Sequence, residues 1–464
     1  MSIILLALNF IACLLSTSTN SGKAIEKAPA SFPDYGEVLA FPGAEGFGRN
    51  AVGGRYGSVY HVTNLEDSGK GSFRDAVSAP NRIIVFDVSG VIRLKSQVAC
   101  AKNLTIAAQT APGDGITIYG GDVTFSGSDN MICRYLRVRL GLVCKADHDA
   151  CGICHGQNMI FDHTSVTWGR DECFSINWYF KFPDKPKNIT IQNSILGQGL
   201  QPHSCSGLIQ TTDSNGVTLL RNLYVDNKTR NPKVKGLNQY VNNVIYNWGN
   251  GGAYIMGDDK NRSTAEIENN YFIVGPAHNF DGKDLEPTAP FSRYNEHFCA
   301  YMSGNMFDDN KDGKLNGRLL TRDDCMTYKT VNGEKVLFKP TFLEKTDTLF
   351  PKISKVLSAK DAYKWVVKNV GATLPARDEV DKYIISELTS LGTKGNIIND
   401  EATLPTKGPG KLKSGVKPLD SDNDGMPDDF EDKYGLNKND ASDAMKIANN
   451  GYTNIENYIF LIDK

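Results

Sequence analysis

From Lys102 onward, apolar and polar positions follow one recurring arrangement. A polar residue or turn is followed by short strands in which apolar residues alternate with polar ones, often with an Asn partway along. The pattern reads "KNLTIAAQT" from Lys102, "DNMICRYLRVRLG" from Asp129, "QNMIFDHTSVTWG" from Gln157 and "KNITIQNSILGQG" from Lys187. It continues as "NGVTLLRNLYVD" from Asn215, "NQYVNNVIYNWG" from Asn238 and "STAEIENNYFIVG" from Ser263. The starts lie roughly 23 to 30 residues apart, a spacing that signals a solenoid. No unit carries a helix, which argues against leucine-rich or α/β repeats. An all-β, right-handed parallel β-helix is therefore expected, with Ile, Val and Leu facing inward. Recurrent Asn residues would stack from rung to rung, because buried amides need partners. A β-sandwich is the plainer alternative for the same short strands.

Two later stretches change period. "AKDAYKWVVKNVGA" and "RDEVDKYIISELTSLG" have helical spacing and are expected to pack along the outside of the coil. The Gly-, Pro-, Lys- and Thr-rich stretch 397–416 reads as a linker, and residues 417–464 as a small EF-hand- or dockerin-like tail. The coil itself spans 38–396. At the other end, the apolar run from Ile3 to Leu15 is too short for a spanning helix and ends in small residues, so 1–20 reads as a secretory signal. A membrane anchor is the alternative for that run. No later segment looks transmembrane, and a secreted, extracellular monomer is expected.

Composition narrows the partners. A formal net charge of -2 and the lack of a long basic stripe give no reason to expect nucleic acid. Of the ten cysteines, Cys13 lies in the signal; in an oxidising compartment most of the other nine are expected in disulfides, with at least one left over. Asn103, Asn188, Asn227 and Asn261 sit in glycosylation sequons.

The tail carries the clearest metal pattern. Asp420, Asp422, Asp424, Asp428 and Glu431 fall at positions 1, 3, 5, 9 and 12 of a calcium loop, with Gly425 at the sharp turn and Met426 offering its carbonyl. A weaker loop has Asp308, Asn310, Asp312 and the carbonyl of Lys314, but Leu319 at position 12 has no side-chain oxygen. A third acidic set, Asp147, Asp149, Asp162, Asp171 and Glu172, is spread over two rungs. Neighbouring rungs lie about 5 Å apart, so these carboxylates could share an ion. "CKADHDACGICH" also fits haem attachment, or zinc on Cys144, His148, Cys151 and Cys154; disulfides are the simpler outcome. Finally, "VDNKTRNPKVKG" gathers Arg230, Lys233 and Lys235 within six residues of a nearly neutral chain.

Several long motifs carry a resemblance: "FPGAEGFGRNAVGGR", "LTIAAQTAPGDGITIYG", "MIFDHTSVTWGRDECFSIN", "NKTRNPKVKG", "NNVIYNWG" and "DSDNDGMPDDFE". Over nearly all of the mature chain the sequence resembles secreted pectate lyases of polysaccharide lyase family 1, most of all the fungal pectate lyase C group. The resemblance implies a right-handed parallel β-helix and calcium-dependent β-elimination on polygalacturonate, the pectin backbone. It puts Arg230 on the catalytic arginine of an Arg-x-Pro-x-x-Arg motif. Lys235 takes the place of the second arginine, which holds substrate carboxylate, and Lys233 lies beside it. The implied catalytic calcium ligands are Asp147, Asp149 and Asp171. A fourth acidic position is Ser175 here, and a substrate-binding lysine falls on Cys205. The implied chemistry needs calcium and neighbouring cations to lower the pKa of Arg230. Competing readings are a pectin lyase on methyl-esterified polymer, a hydrolase using Asp162 and Asp171 as paired carboxylates, and a β-helix that only binds polysaccharide.

Overall fold

A computed structural model describes residues 31–249, 252–257, 262–277, 290–293, 297–345 and 348–463. The signal segment and Asn261 lie outside the described residues. The chain coils into three long sheets. The first has eleven strands, from Ser58–Val62 to Thr341–Leu343, all parallel. The second has ten: nine parallel strands from Gly90–Arg93 to Met306–Asp308 and a final antiparallel one, Arg318–Leu319. The third has eight short parallel strands, among them Cys151–Ile153, Phe174–Asn177, Leu208–Gln210 and Lys233–Lys235. The central rungs contribute one strand to each sheet.

Register turns the sequence repeat into stacked columns. Ile106, Cys133, Phe161, Ile191, Leu219, Tyr240 and Ile267 pair in succession along the first sheet and form an inward column. Every member is buried in the coil's single interior core. The expected asparagine stacking occurs twice. At one corner the Nδ2 groups of Asn103, Asn130, Asn158 and Asn188 each donate to the Oδ1 of the preceding member, starting at Asn81, over 2.8 to 3.4 Å. All five have φ between 54 and 61, a left-handed backbone that Asn accepts more readily than most residues. At another corner Asn222, Asn243, Asn270 and Asn305 are fully enclosed. Their Oδ1 atoms accept from the backbone N–H one rung back, and their Nδ2 groups donate to carbonyl oxygens. Each amide is thus satisfied without water, which makes burial affordable.

Two of the three outer faces are covered. The predicted helices appear as Ala359–Asn369 and Glu379–Leu388, and they bury Val366, Val380, Ile384 and Leu388 against Ile195, Leu223, Val244 and Tyr246 of the second sheet. Arg139, wholly enclosed, reaches from that sheet to Asp378 and Asp381 at 2.9 Å. The first sheet is covered by the N-terminal segment and the tail, which pack Phe41, Met426, Ile455 and Phe460 with Ile83, Val85, Ile132 and Ile160. Gly48 lies so close that a Cβ there would sit 2.1 Å from the Met159 carbonyl oxygen. The third sheet keeps an outward face of half-buried polar residues, Asn177, Gln210, Lys233 and Lys235.

Several expectations change. None of the nine described cysteines is in a disulfide; Cys100, Cys133 and Cys151 fill the interior as small apolar side chains. The linker is packed along its first half: Ile397, Ile398 and Leu404 are buried, and Glu401 accepts from the Tyr119 hydroxyl at 2.6 Å. Asn227 cannot carry a glycan in this fold, because it is fully buried and its Nδ2 donates to the Leu196 carbonyl and to Asn231. Asn103 and Asn188 are half-buried members of the ladder.

Candidate active site

The turns that lead into the third sheet carry the chemistry, one rung after another. Asp149 precedes Cys151–Ile153, Asp171 and Glu172 precede Phe174–Asn177, Cys205 precedes Leu208–Gln210, and Arg230 precedes Lys233–Lys235. Glu172, Cys205 and Thr229 are joined by parallel bridges, so the turns are stacked as strictly as the strands. The backbone fixes them further: Glu172 N–H donates to Asp149 Oδ1 at 2.9 Å, and Asp171 N–H to the His148 carbonyl at 2.9 Å.

Asp149, Asp171 and Glu172 each bring one carboxylate oxygen to within 4.8 Å of the others. Arg230 Nη1 donates to Glu172, and His203 Nδ1 contacts Asp171. Burial, then the charge of Asp149, pushes the Glu172 carboxyl up to about 9 despite Arg230. Asp149 is raised as well, first by burial. Burial acts to lower the Arg230 pKa, but Cys205, Glu172 and Asp171 outweigh it and hold the guanidinium above its ordinary value. The expected depression by neighbouring cations is absent: the near neighbours of Arg230 are acidic groups.

Sequence and structure divide over the individual ligands. Asp147 stands apart from the cluster, exposed and in left-handed backbone with φ 63. Glu172 occupies the third acidic place beside Asp149 and Asp171; its adjacency to Asp171 was the available signal, but spacing alone does not say which of two neighbours faces inward. Ser175 acts to lower the pKa of the Asp149 carboxyl, and its Oγ accepts from the Leu208 N–H at 3.3 Å. Cys205 is wholly buried against Arg230 and Glu172. Asp162 is remote from this set. It lies at the end of a first-sheet strand, where Arg134 at 2.8 Å and the amides of Gln192 and Asn193 hold it, so it cannot pair with Asp171 as a hydrolase would require. Lys233 and Lys235 follow Arg230 on the open face, at the same level as Leu208 and Gln210 one rung back.

The other proposed metal loops also change. In the Asp308 loop the centre is filled by Asn316: its backbone N–H donates to Asp308, its Nδ2 to Asp312, and its Oδ1 accepts from Asn310. The Lys314 N–H donates to Asp312 as well. Cys144 and His148 meet Asp122 rather than Cys151 and Cys154. In the tail, Asp420, Asp422 and Asp424 converge, and Asp424 also converges with Glu431 and Asp443. Asp428 is instead taken up by Ser421, whose N–H and hydroxyl donate to it at 2.8 and 2.7 Å.

No protein-family model matches the chain. The probable pectate lyase C of Aspergillus flavus is 50% identical over 419 residues, which cover 90% of this chain and 93% of that protein. Among solved structures, the major allergen of cedar pollen is 20% identical with a TM-score of 0.52, covering 71% of this chain and 92% of its own. A pectate lyase studied for its substrate specificity and anti β-elimination mechanism is 16% identical, also with a TM-score of 0.52, covering 73% of this chain and 99% of its own. These two confirm the fold. The likeness to the Aspergillus protein runs through almost the whole length of both chains, and by it the chain belongs to the pectate lyase C family and is a pectate lyase.

Proposed function

We propose that the chain cleaves (1→4)-α-D-galacturonan by calcium-dependent β-elimination on the open face of the third sheet. The observation that carries this reading is the contact of Arg230 with Glu172, one of three clustered carboxylates, with Lys233 and Lys235 on the adjoining strand. The residues fit a divalent cation. Asp149, Asp171 and Glu172 crowd three acidic groups beside one guanidinium, and burial and the charge of Asp149 raise the Glu172 carboxyl, so a cation among them would be stabilising. Asp149, Asp171 and Glu172 would hold calcium through oxygen alone, as a hard cation requires. Bound there, calcium supplies the charge that makes the proton α to a uronate carboxylate removable.

The chain's own residues do the rest. Lys235 and Lys233 hold substrate carboxylates as point charges, without the bidentate fork an arginine would give. Arg230 accepts the proton from C5 of the sugar, the C4–oxygen bond breaks, a C4–C5 double bond forms, and the departing oxygen takes up a proton from solvent. A guanidinium must first lose its own proton, and Glu172 opposes that. Cleavage is therefore expected at alkaline pH, with Glu172 drawn away from Arg230. Secretion, from the apolar run Ile3 to Leu15, would place the enzyme with its polymer.

The test is direct. With polygalacturonate, ultraviolet absorbance of unsaturated uronides should rise, and chelation should abolish it. Activity confined to methyl-esterified pectin and indifferent to chelator would instead mark a pectin lyase. New reducing ends without unsaturation would mark a hydrolase. Binding of the polymer with neither product would mark a β-helix that only binds polysaccharide.

A further inference from the structure

The tail holds a second concentration of acid that the lyase reaction does not use. Glu431 is fully enclosed, and neither of its carboxylate oxygens has a hydrogen-bond partner. Asp424 is 3% exposed and Asp443 5%, and each aims one unpartnered oxygen, Oδ2 and Oδ1, at the same spot. The remaining oxygens of these two residues are occupied by Met426 N–H at 2.8 Å and Asn437 N–H at 2.9 Å, so the free oxygens are the ones turned inward. Asp420 and Asp422 close the outer side. Buried carboxylates without partners destabilise a fold strongly unless a cation compensates them. The lysine beside the loop, Lys417, reaches only the rim: its Nζ is 3.9 Å from Asp420 and 3.0 Å from Asp87.

We propose that Asp420, Asp422, Asp424, Glu431 and Asp443 form a structural calcium site, which holds the tail folded over the first sheet. Asp443, twelve residues beyond the loop's last acidic position, closes the site in place of Asp428. The donors are all oxygen, with no sulfur or imidazole among them, which selects a hard cation over zinc or copper. The number of carboxylates and the bidentate reach of Glu431 suit calcium better than the smaller, six-coordinate magnesium. The ion ties three parts of the tail together: the 420–426 loop, the Asp428–Tyr434 helix carrying Glu431, and the segment carrying Asp443. That framework presents Met426, Ile455 and Phe460 to the first sheet, where Asp463 meets Arg134 at 2.5 Å, and joins the N-terminal segment, where Glu456 meets Arg55 at 3.0 Å. Without the cation, carboxylates at the centre of the tail repel one another, and the apolar cover loosens. This inference does not depend on the lyase reading.

The experiment uses the full chain, stripped of metal, with Asp171→Asn present throughout to weaken the other acidic cluster. Calcium is titrated calorimetrically, and thermal unfolding is followed with and without it. Calcium should bind the tail and raise Tm. Asp443→Asn is nearly isosteric and removes one repelling charge. It should raise Tm of the metal-free protein, weaken calcium binding by at least about tenfold, and shrink the calcium-induced rise in Tm. Asp428→Asn should keep wild-type calcium affinity. Magnesium should be a weaker stabiliser than calcium. Unchanged calcium affinity in Asp443→Asn, or a Tm indifferent to calcium in its parent, overturns the proposal. Glu431→Gln gives a second, independent loss if Asp443→Asn does not fold.

Discussion

Arg230→Lys isolates proton transfer from substrate attraction. The residue sits in left-handed backbone, φ 56, which Lys tolerates no worse than Arg because both carry the same Cβ. The positive charge beside Glu172 is kept, so the acidic cluster should remain in place and the variant should melt close to the wild type. What changes is the acceptor: Arg230 Nη1 reaches Glu172 from the end of a branched side chain, and the lysine amine is shorter and carries no second nitrogen. Removing a general base typically costs roughly 100- to 10,000-fold in rate. At about 1.36 kcal/mol per factor of ten, that is roughly 3 to 5 kcal/mol of transition-state stabilisation. The loss should fall on kcat, with KM little changed, because binding of the uronate carboxylates rests on Lys233, Lys235 and the cation. Initial rates of unsaturated-uronide formation on polygalacturonate, measured with saturating calcium from neutral to alkaline pH, give both constants. A variant that keeps near-normal kcat at alkaline pH refutes the assignment of Arg230 as base and moves attention to Lys233 or Lys235.

Other outcomes follow from the same geometry. Lys235→Ala should raise KM more than it lowers kcat, since it removes a carboxylate contact and leaves Arg230 in place; a pure kcat effect in steady-state rates would contradict that. Arg139→Met should leave Asp378 and Asp381 buried with only Arg137 at 3.5 Å to balance their charge and cost roughly 3 to 5 kcal/mol in urea-induced unfolding. A loss below about 1 kcal/mol would show that the two carboxylates find other partners. In metal-free protein, burial and neighbouring acid raise Asp424 to about 7 and Glu431 to about 8. The folded state then binds more protons than the unfolded one between about pH 4.5 and 8, so stability should fall as pH rises through that window. Calcium should flatten the trend, and thermal unfolding across that range with and without calcium checks both signs.

What could be read from sequence was whatever depends on local repetition. Alternating Ile and Val with a recurrent Asn is enough to specify strands, rungs and ladders, since each rung repeats the geometry of the last. Helical spacing in 359–369 and 379–388 was equally legible, because an amphipathic face needs only its own residues. Turn geometry was not. Asp147 and Glu172 lie in turns, and the left-handed backbone of Asp147, with its side chain exposed, is not something its spacing reveals. Asp428 fits the calcium spacing yet bonds Ser421, while Asp443 reaches the site from a segment with no loop pattern of its own. Asn227 matches a sequon, but a three-residue motif carries no information about burial. The Arg230 motif was legible as a cluster of cations; that its close neighbours would be carboxylates two rungs back depends on the stacking of turns distant in sequence.

A ladder of parallel strands has two rims, and each rim is an unfinished row of backbone donors and acceptors. At the N-terminal rim the Phe73–Ser78 helix lies over the opening and inserts Phe73, Ala76 and Val77 into the interior. At the far rim the last strand of the second sheet runs antiparallel, and Cys325 closes the interior beside it. These are stoppers. Exposed strand edges recruit other strands, and one coil's far rim matches the near rim of the next copy. Head-to-tail contact of that kind does not close on itself and builds filaments. A short helix and one reversed strand therefore do for this enzyme what closure does for a barrel: they make the coil finite, and keep a molecule built from repeats from becoming a repeat unit itself.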